Sequence, residues 1–298
     1  MRSFHVCQIF PQKAIHVVSG YDDVTATLVW GLRQMGYPTS YAVNYIHPDA
    51  TNIVFGAHNL HLDVVKSLRP DTIIYNLEQM FGLYGHQGPL QWGNLDAFRA
   101  MFDWCCANLA VFDYSRRNVE AVKAHNPDAS IQYVPIGYAP ILSRIDKPEE
   151  QDIDILFIGM PHEFRISVFK ELCEAWFSSV FLCGMYGPKR DELIGRSKLV
   201  MNISAGTAGS IFSIVRASYF LANQKAVVAD LYPDIDLEPD MPLAVRFATP
   251  DQLVGACAYL LQNDDKRAEA EAIGFEMFRR RDIRVILTQA LANVPDRM

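Results

Sequence analysis

No apolar run in this sequence approaches the roughly 18 residues that a membrane-spanning helix requires, so no transmembrane segment is expected. The opening stretch, MRSFHVCQIF, lacks both a long apolar core and a small-residue cleavage site. No secretory signal is read there, and the cytoplasm is the expected compartment. Basic residues are not in excess: the net charge is -7, which argues against a phosphate-tracking surface and against nucleic acid as a partner. The six cysteines show no C-x-x-C spacing, and most lie in apolar stretches, so they read as buried free thiols rather than a metal or disulfide framework. Neither H-E-x-x-H nor G-x-S-x-G occurs, which sets aside zinc-protease and α/β-hydrolase chemistry, and neither G-x-G-x-x-G nor a P-loop is present. Low-complexity segments and short-period repeats are also missing.

What is there is length and alternation. With 298 residues, half of them apolar and a fifth charged, the chain has room for two ordinary domains. Short β-branched runs alternate with helical stretches. In the first half AIHVVS (14–19), PTSYAVN, NIVFGAH (52–58), TIIYNLE (72–78), LAVFD (109–113) and IQYVPIGY (131–138) read as strands. Helices are predicted over 24–36, near 62–68, near 95–104, and from Ser115, a candidate N-cap, to His125. The alternation restarts with DILFIG (154–159), SVFLCG (179–184), LVMNIS (199–204), AVVAD (226–230) and LAVRFA (243–248), with helices between them and a mostly helical tail. Nearly continuous apolar strands separated by helices are the mark of parallel sheets covered on both faces. The charged, proline-containing stretch IDKPEEQ (145–151) reads as a linker and hinge, giving domains 1–148 and 149–298.

Ligands of open parallel sheets bind at the carboxyl ends of the strands, where helix N-termini offer unpaired N–H groups. The residues that follow each strand are therefore the candidates. In the first half these are Gly20 with Asp22 and Asp23, then His58, then Asn76 and Glu78, then Asp113. Glu78 directly follows an apolar strand, a setting that raises a carboxyl pKa and suits a general base. His58 reads equally as a structural histidine, and Asp22 or Asp23 as a helix cap. In the second half, Gly159 precedes Arg165, Gly184 precedes Tyr186 and Arg190, and Asn202 and Ser204 precede a loop with Gly206, Gly209 and Ser210. A helix from 210 to 222 then carries Arg216 in its second turn, where a guanidinium reaches back toward a diphosphate. The plainer reading is that the glycines shape a tight loop and Arg216 pairs with a surface carboxylate. Two D-x-D triplets, Asp152–Asp154 and Asp234–Asp236, are poorly placed for metal: the first opens a strand and the second lies in an acidic, proline-rich loop. No metal and no cofactor is expected.

The stretches DILFIGMPHEFRISVFKEL, LCGMYGPKRDELIGRSKLVMNIS and SIFSIVRASYFLANQKAVVAD resemble the C-terminal domain of bacterial GT-B glycosyltransferases, in particular the group related to the spore maturation protein CgeB and to glycosyl transferases group 1. The resemblance covers roughly residues 152–230, and more loosely NIVFGAH and TIIYNLEQ in the first half. It implies two Rossmann-like domains facing a cleft, with a nucleotide-sugar held by Gly159, Arg165, Tyr186, Arg190, Asn202, Ser204, Gly209, Ser210 and Arg216. It also implies metal-independent transfer to a glycan, protein or small-molecule acceptor, and a last helical stretch that returns to the first domain. Glu78 is then the first candidate base for inversion, with His58 and Asp23 behind it, or an acceptor-orienting group for retention. Gly20, Asp22, Asn76 and Asp113 fall on the acceptor side. One departure from the pattern stands out. Where such enzymes often carry a ribose-holding glutamate, this chain has Ser213 and Ser218. That keeps a non-catalytic nucleotide-sugar or glycan binder, and a GT-B-like epimerase, as alternatives.

Overall fold

The structure is a computed structural model that describes residues 2–11, 20–80, 84, 95–204 and 211–294. The chain forms two compact units. The first comprises the N-terminal strand, Tyr21–Gly137 and the segment from Asp282 onward, and the second is built from Tyr138–Arg281.

The first unit is a six-stranded, all-parallel sheet in the order β2-β1-β3-β4-β5-β6. Its strands are β1 (Phe4–Gln8), β2 (Thr39–Val43), β3 (Thr51–Phe55), β4 (Ile73–Asn76), β5 (Ala110–Asp113) and β6 (Ile131–Tyr133). Strands β1, β3, β4 and β5 are buried along their whole length, as a central parallel strand must be. Helix α1 (Asp22–Gln34) follows β1, and α2 (Leu62–Lys66) follows β3. Helix α3 (Leu95–Asn108) buries Phe98, Met101, Phe102, Cys105 and Cys106, spaced i, i+3, i+4, i+7 and i+8, to form the stripe that covers one sheet face. Helix α4 (Arg116–His125) starts at Ser115, whose hydroxyl accepts from Asn118 N at 3.2 Å.

The second unit repeats the plan with five parallel strands in the order β11-β10-β9-β7-β8. These are β7 (Ile153–Ile158), β8 (Ser179–Leu182), β9 (Ser197–Asn202), β10 (Ala226–Asp230) and β11 (Arg246–Ala248). Helices α5 (Glu163–Glu174), α6 (Pro188–Arg196), α7 (Ile214–Ala222), α8 (Met241–Ala244), α9 (Leu253–Gln262) and α10 (Asp264–Arg279) accompany them. Helix α11 (Ile283–Ala292) belongs to the first unit, where it packs along α1.

Several expectations change. The strand expected at 14–19 and the loop with Gly206, Gly209 and Ser210 lie outside the described residues. The first strand of the sheet is Phe4–Gln8, within the stretch read only for signal character. LAVRFA divides, its first half ending α8 and its second half forming the short β11. The stretch 145–151 is fastened to the second unit rather than running free. Arg144 N and Ile145 N donate to Asn223 Oδ1 at 2.9 Å, Lys147 pairs with Glu271 at 2.7 Å, and Gln151 donates to the Gly195 carbonyl at 3.0 Å. The chain passes from one unit to the other earlier, between Gly137 and Tyr138. All six cysteines are free; four are buried, but Cys173 and Cys183 are exposed.

Candidate functional site

In each sheet the strand order reverses beside the first strand, at β1/β3 in the first unit and at β7/β9 in the second. Crevices open at such switch points because the adjoining connections leave toward opposite faces. Both units place polar candidates at or beside these points.

In the first unit, Gly56 follows β3 with φ 71°, and a Cβ at this position would lie 2.4 Å from the Ile9 carbonyl oxygen. Only glycine allows that approach, and it seats His58 and Asn59 beside the end of β1. Asn59 Nδ2 donates to Ile9 O at 3.1 Å and lies 3.1 Å from His58 Nε2. The His58 ring meets Phe98 edge-on, and burial pushes its pKa down to about 4, so the imidazole is neutral at pH 7. Glu78 follows β4, and burial raises its carboxyl pKa while a hydrogen bond from the Tyr21 hydroxyl to Oε1 opposes that rise. A small pocket, with room for about one water-sized group, is lined by Tyr21, Gly56, His58, Asn76, Glu78 and apolar side chains of β4 and α3.

Behind this pocket Asp113 is fully buried. It accepts from Asn76 Nδ2 (2.7 Å), Asn118 Nδ2 (3.0 Å) and Ser115 N (2.9 Å). Asn118 Nδ2 and Asn76 Nδ2 also donate to the Glu78 carbonyl, at 2.8 and 2.9 Å. Asp113 therefore fixes the Glu78 backbone and is not presented to an acceptor, because its oxygens are committed. Asp22 and Asp23 occupy the first turn of α1, where acidic side chains suit the helix dipole, and the N-cap is Tyr21. Asp22 accepts from Gln8 Nε2 at 3.0 Å, while Asp23 is buried and does not line the pocket. Gly20 lies exposed in the turn before α1.

In the second unit two guanidinium groups converge at the ends of β7 and β9. Arg165 of α5 donates through Nε to the carbonyls of Ile203 (3.1 Å) and Ser204 (2.9 Å), and through Nη1 to Met160 O (3.0 Å). It lies across Gly159, where an added Cβ would approach Nη1 to 3.2 Å. Arg216 is in the first turn of α7, one turn earlier in its helix than the sequence suggested, because α7 begins at Ile214 rather than 210. Its Nη1 donates to Asn202 Oδ1 at 3.1 Å, and Asn202 Nδ2 in turn donates to Ser213 O at 3.1 Å. Burial pushes the Arg216 pKa down to about 10, Arg165 adds to that shift, and Tyr186 and Asp230 oppose it. The group stays charged at neutral pH, and among the described residues no ion pair holds it. Asp230, at the end of β10, accepts from Ser204 N at 2.9 Å and from its hydroxyl; burial raises its pKa against those bonds and the Arg165 charge.

The other candidates resolve differently. Arg190 is buried, bonded to Asp191 at 3.0 Å and stacked 4.1 Å over the Tyr219 ring, so it binds α6 to α7 rather than offering its charge to a ligand. Asn202 is buried and acts through Arg216. Ser213 is the N-cap residue of α7, and the buried Ser218 donates to Val215 O at 3.0 Å, so neither supplies a charged ribose acceptor. Asp152 and Asp154 are engaged by Arg196 (2.6 Å) and Lys198 (2.8 Å) at the amino end of the sheet. Sequence reasoning missed Tyr21, Asn118 and Asp230. Asp230 ends an apolar strand and was reachable by the strand-end rule. Tyr21 and Asn118 act through tertiary contacts that carry no spacing signal.

No family model matches the chain. A curated relative, Uncharacterized protein R358 of Acanthamoeba polyphaga mimivirus, is 25% identical over 181 residues, and the match spans 59% of this chain and 61% of that protein. Sucrose-phosphate synthase from Thermosynechococcus elongatus superposes over 98% of both chains at TM-score 0.65 and 9% identity. WaaG, a glycosyltransferase involved in lipopolysaccharide biosynthesis, matches over 98% of this chain and 100% of its own at TM-score 0.63 and 10% identity. Anabaena HepE, solved in complex with UDP, matches over 98% and 99% at TM-score 0.61 and 10% identity. The chain thus has the GT-B fold, with two successive Rossmann-like α/β units.

Proposed function

We propose that the protein is a metal-independent glycosyltransferase that moves a sugar from a nucleotide-sugar to a hydroxyl of a glycan, protein or small-molecule acceptor. The observation that carries this reading is Arg216: a charged guanidinium at a helix N-terminus and a sheet switch point, next to Arg165 and without an ion pair among the described residues. Two cations against the single Asp230 carboxylate leave local positive charge where the α7 N–H groups also favour an anion. The UDP seen with HepE, a protein of the same fold, supports a nucleoside diphosphate as that anion. The first unit supplies the base. The acceptor oxygen forms its bond to the sugar's anomeric carbon as its proton passes to Glu78. The bond from that carbon to the diphosphate oxygen breaks, and its electron pair leaves on the diphosphate, stabilised by Arg216 and Arg165. A membrane-crossing helix is absent among the described residues, and the cytoplasm is the compartment that accords with this reading.

The second reading, a non-catalytic binder, is favoured by Ser213 and Ser218 in place of a carboxylate. Incubation with a panel of nucleotide-sugars, following release of nucleoside diphosphate, separates the two. Slow hydrolysis of one donor is the expected result. Tight binding without turnover identifies a binder, and interconversion of the sugars identifies an epimerase.

A further inference from the structure

The Glu78 side chain is half-buried, and its two oxygens differ. Oε1 accepts the hydrogen bond from Tyr21, while no hydrogen bond from a described residue reaches Oε2. An ionised carboxylate oxygen has the capacity to accept further hydrogen bonds. The adjoining space has room for about one water-sized group, which is the size of a hydroxyl. Tyr21 is itself held firmly. Its carbonyl accepts from Thr25 N at 2.8 Å and from Thr25 Oγ1 at 2.9 Å, and Gln8 Nε2 at the end of β1 donates to that same hydroxyl at 2.7 Å. The phenol thus reaches Glu78 from an α1 turn pinned to β1, while Asn76 and Asn118 pin the Glu78 backbone from β4 and α4.

Among the described residues, the titratable groups that line the pocket with Glu78 are Tyr21 from α1, the neutral His58 after β3, and Tyr75 in β4, whose hydroxyl donates to Val134 O at 2.9 Å; the Asp113 carboxylate lies behind them, bonded to Asn76. No lysine or arginine is among the described lining residues. Among the described lining residues, a phosphate or carboxylate next to the reacting hydroxyl would meet the Glu78 carboxylate and no compensating cation.

We infer that Tyr21 is a positioning residue that locks one oxygen of Glu78 and presents the other to a hydroxyl on an uncharged part of the acceptor. This rests on the glycosyltransferase reading above. The test compares Tyr21→Phe, Glu78→Gln and wild type for kcat, donor KM and the pH dependence of kcat/KM, with the donor identified by hydrolysis. The acceptors are one uncharged glycoside and its phosphorylated counterpart. Tyr21→Phe keeps the ring and removes only the donor. It is expected to lower kcat roughly tenfold at unchanged donor KM. It should also move the acid limb of kcat/KM upward by about one pH unit, because the ionised carboxylate loses its hydrogen bond. The phosphorylated acceptor should be used at least about tenfold less well than the glycoside. An inactive Glu78→Gln beside a Tyr21→Phe with the wild-type pH limb and kcat overturns the role of Tyr21 alone. A fully active Glu78→Gln overturns the base assignment and this inference with it. Equal use of the phosphorylated acceptor overturns the selection for an uncharged group. Carbon-13 titration of the Glu78 carboxyl in both proteins, independent of turnover, must show the same upward move in Tyr21→Phe; an unmoved midpoint contradicts the proposal.

Discussion

The two units share one topology at their switch points but carry opposite chemistry. In the first, the strand ends present a carboxyl group, a neutral imidazole and a phenol, and no cation is among the described residues that line the pocket. In the second, two guanidiniums lie near the one carboxylate of Asp230. The sheets do not dictate this difference, since β1–β3 and β7–β9 pair in the same parallel manner. It comes from the few residues after each strand, and on the proposed reading one scaffold used twice yields a site for a hydroxyl and a site for an anion.

The sharpest way to break the comparison is to remove the base. Glu78→Gln should lower turnover by about a hundredfold or more, within the range general bases supply, while nucleoside diphosphate binding stays at the wild-type level. Steady-state kinetics with calorimetry of the diphosphate check both halves. If binding falls with turnover, the two sites are not separate in function.

Next in size is the buried support beneath Glu78. Asp113→Ala would remove one acceptor from each of the side-chain amides of Asn76 and Asn118, which keep the Glu78 carbonyl, and from the Ser115 N–H. A loss of about 3 kcal/mol in urea unfolding is expected, alongside lowered activity. The corresponding change at Asp152, in an exposed ion pair with Arg196, should change stability far less.

A smaller effect concerns pH. Burial raises the Glu78 pKa above its unfolded value, so the folded state holds its proton over a range where the unfolded chain has lost it. Stability from this group is complete below the unfolded pKa and declines as pH rises through the folded one. Glu78→Gln lacks that decline. Its thermal midpoint relative to wild type should therefore increase between about pH 4 and about pH 8, and a constant difference would show the carboxyl to be solvated. Smallest of all is Gly159→Ala, whose Cβ would press on Arg165 at 3.2 Å; a few-fold weakening of diphosphate binding is expected. Chelators should change neither binding nor turnover, and a loss restored by magnesium or manganese would reopen the case for Asp234 and Asp236.

The fold was legible because parallel strands in covered sheets are nearly continuous apolar runs, and eight strands, from NIVFGAH to AVVAD, can be read in that way. The exceptions have physical causes. FHVCQ carries His5 and Gln8 inside a buried strand, and their polarity hides it. His5 is satisfied there by Ser40 Oγ at 2.8 Å and Tyr45 O at 3.0 Å. The hinge reading of 145–151 followed composition, but Asn223, Glu271 and the Gly195 carbonyl, all distant in sequence, hold that stretch down. At the site, strand-end position picked out Glu78, His58, Arg165 and Arg216. It did not separate groups aimed outward from groups such as Asp113 and Arg190 that are consumed by neighbours, because that depends on partners brought together only by folding.

The central claim, an anion site in the second unit set against a hydroxyl site in the first, is tested most directly at Arg216. Isothermal titration should compare a nucleoside diphosphate with its bare nucleoside on folded wild-type, Arg216→Ala and Arg216→Lys protein. Loss of a charge-assisted hydrogen bond costs about 1.5–3 kcal/mol, so Arg216→Ala should bind the diphosphate about ten- to a hundredfold more weakly. Nucleoside affinity should hardly change, and lysine should recover only part of the loss because it lacks the planar fork. Equal diphosphate affinity in wild type and Arg216→Ala would contradict the account and assign Arg216 to its contact with Asn202 alone.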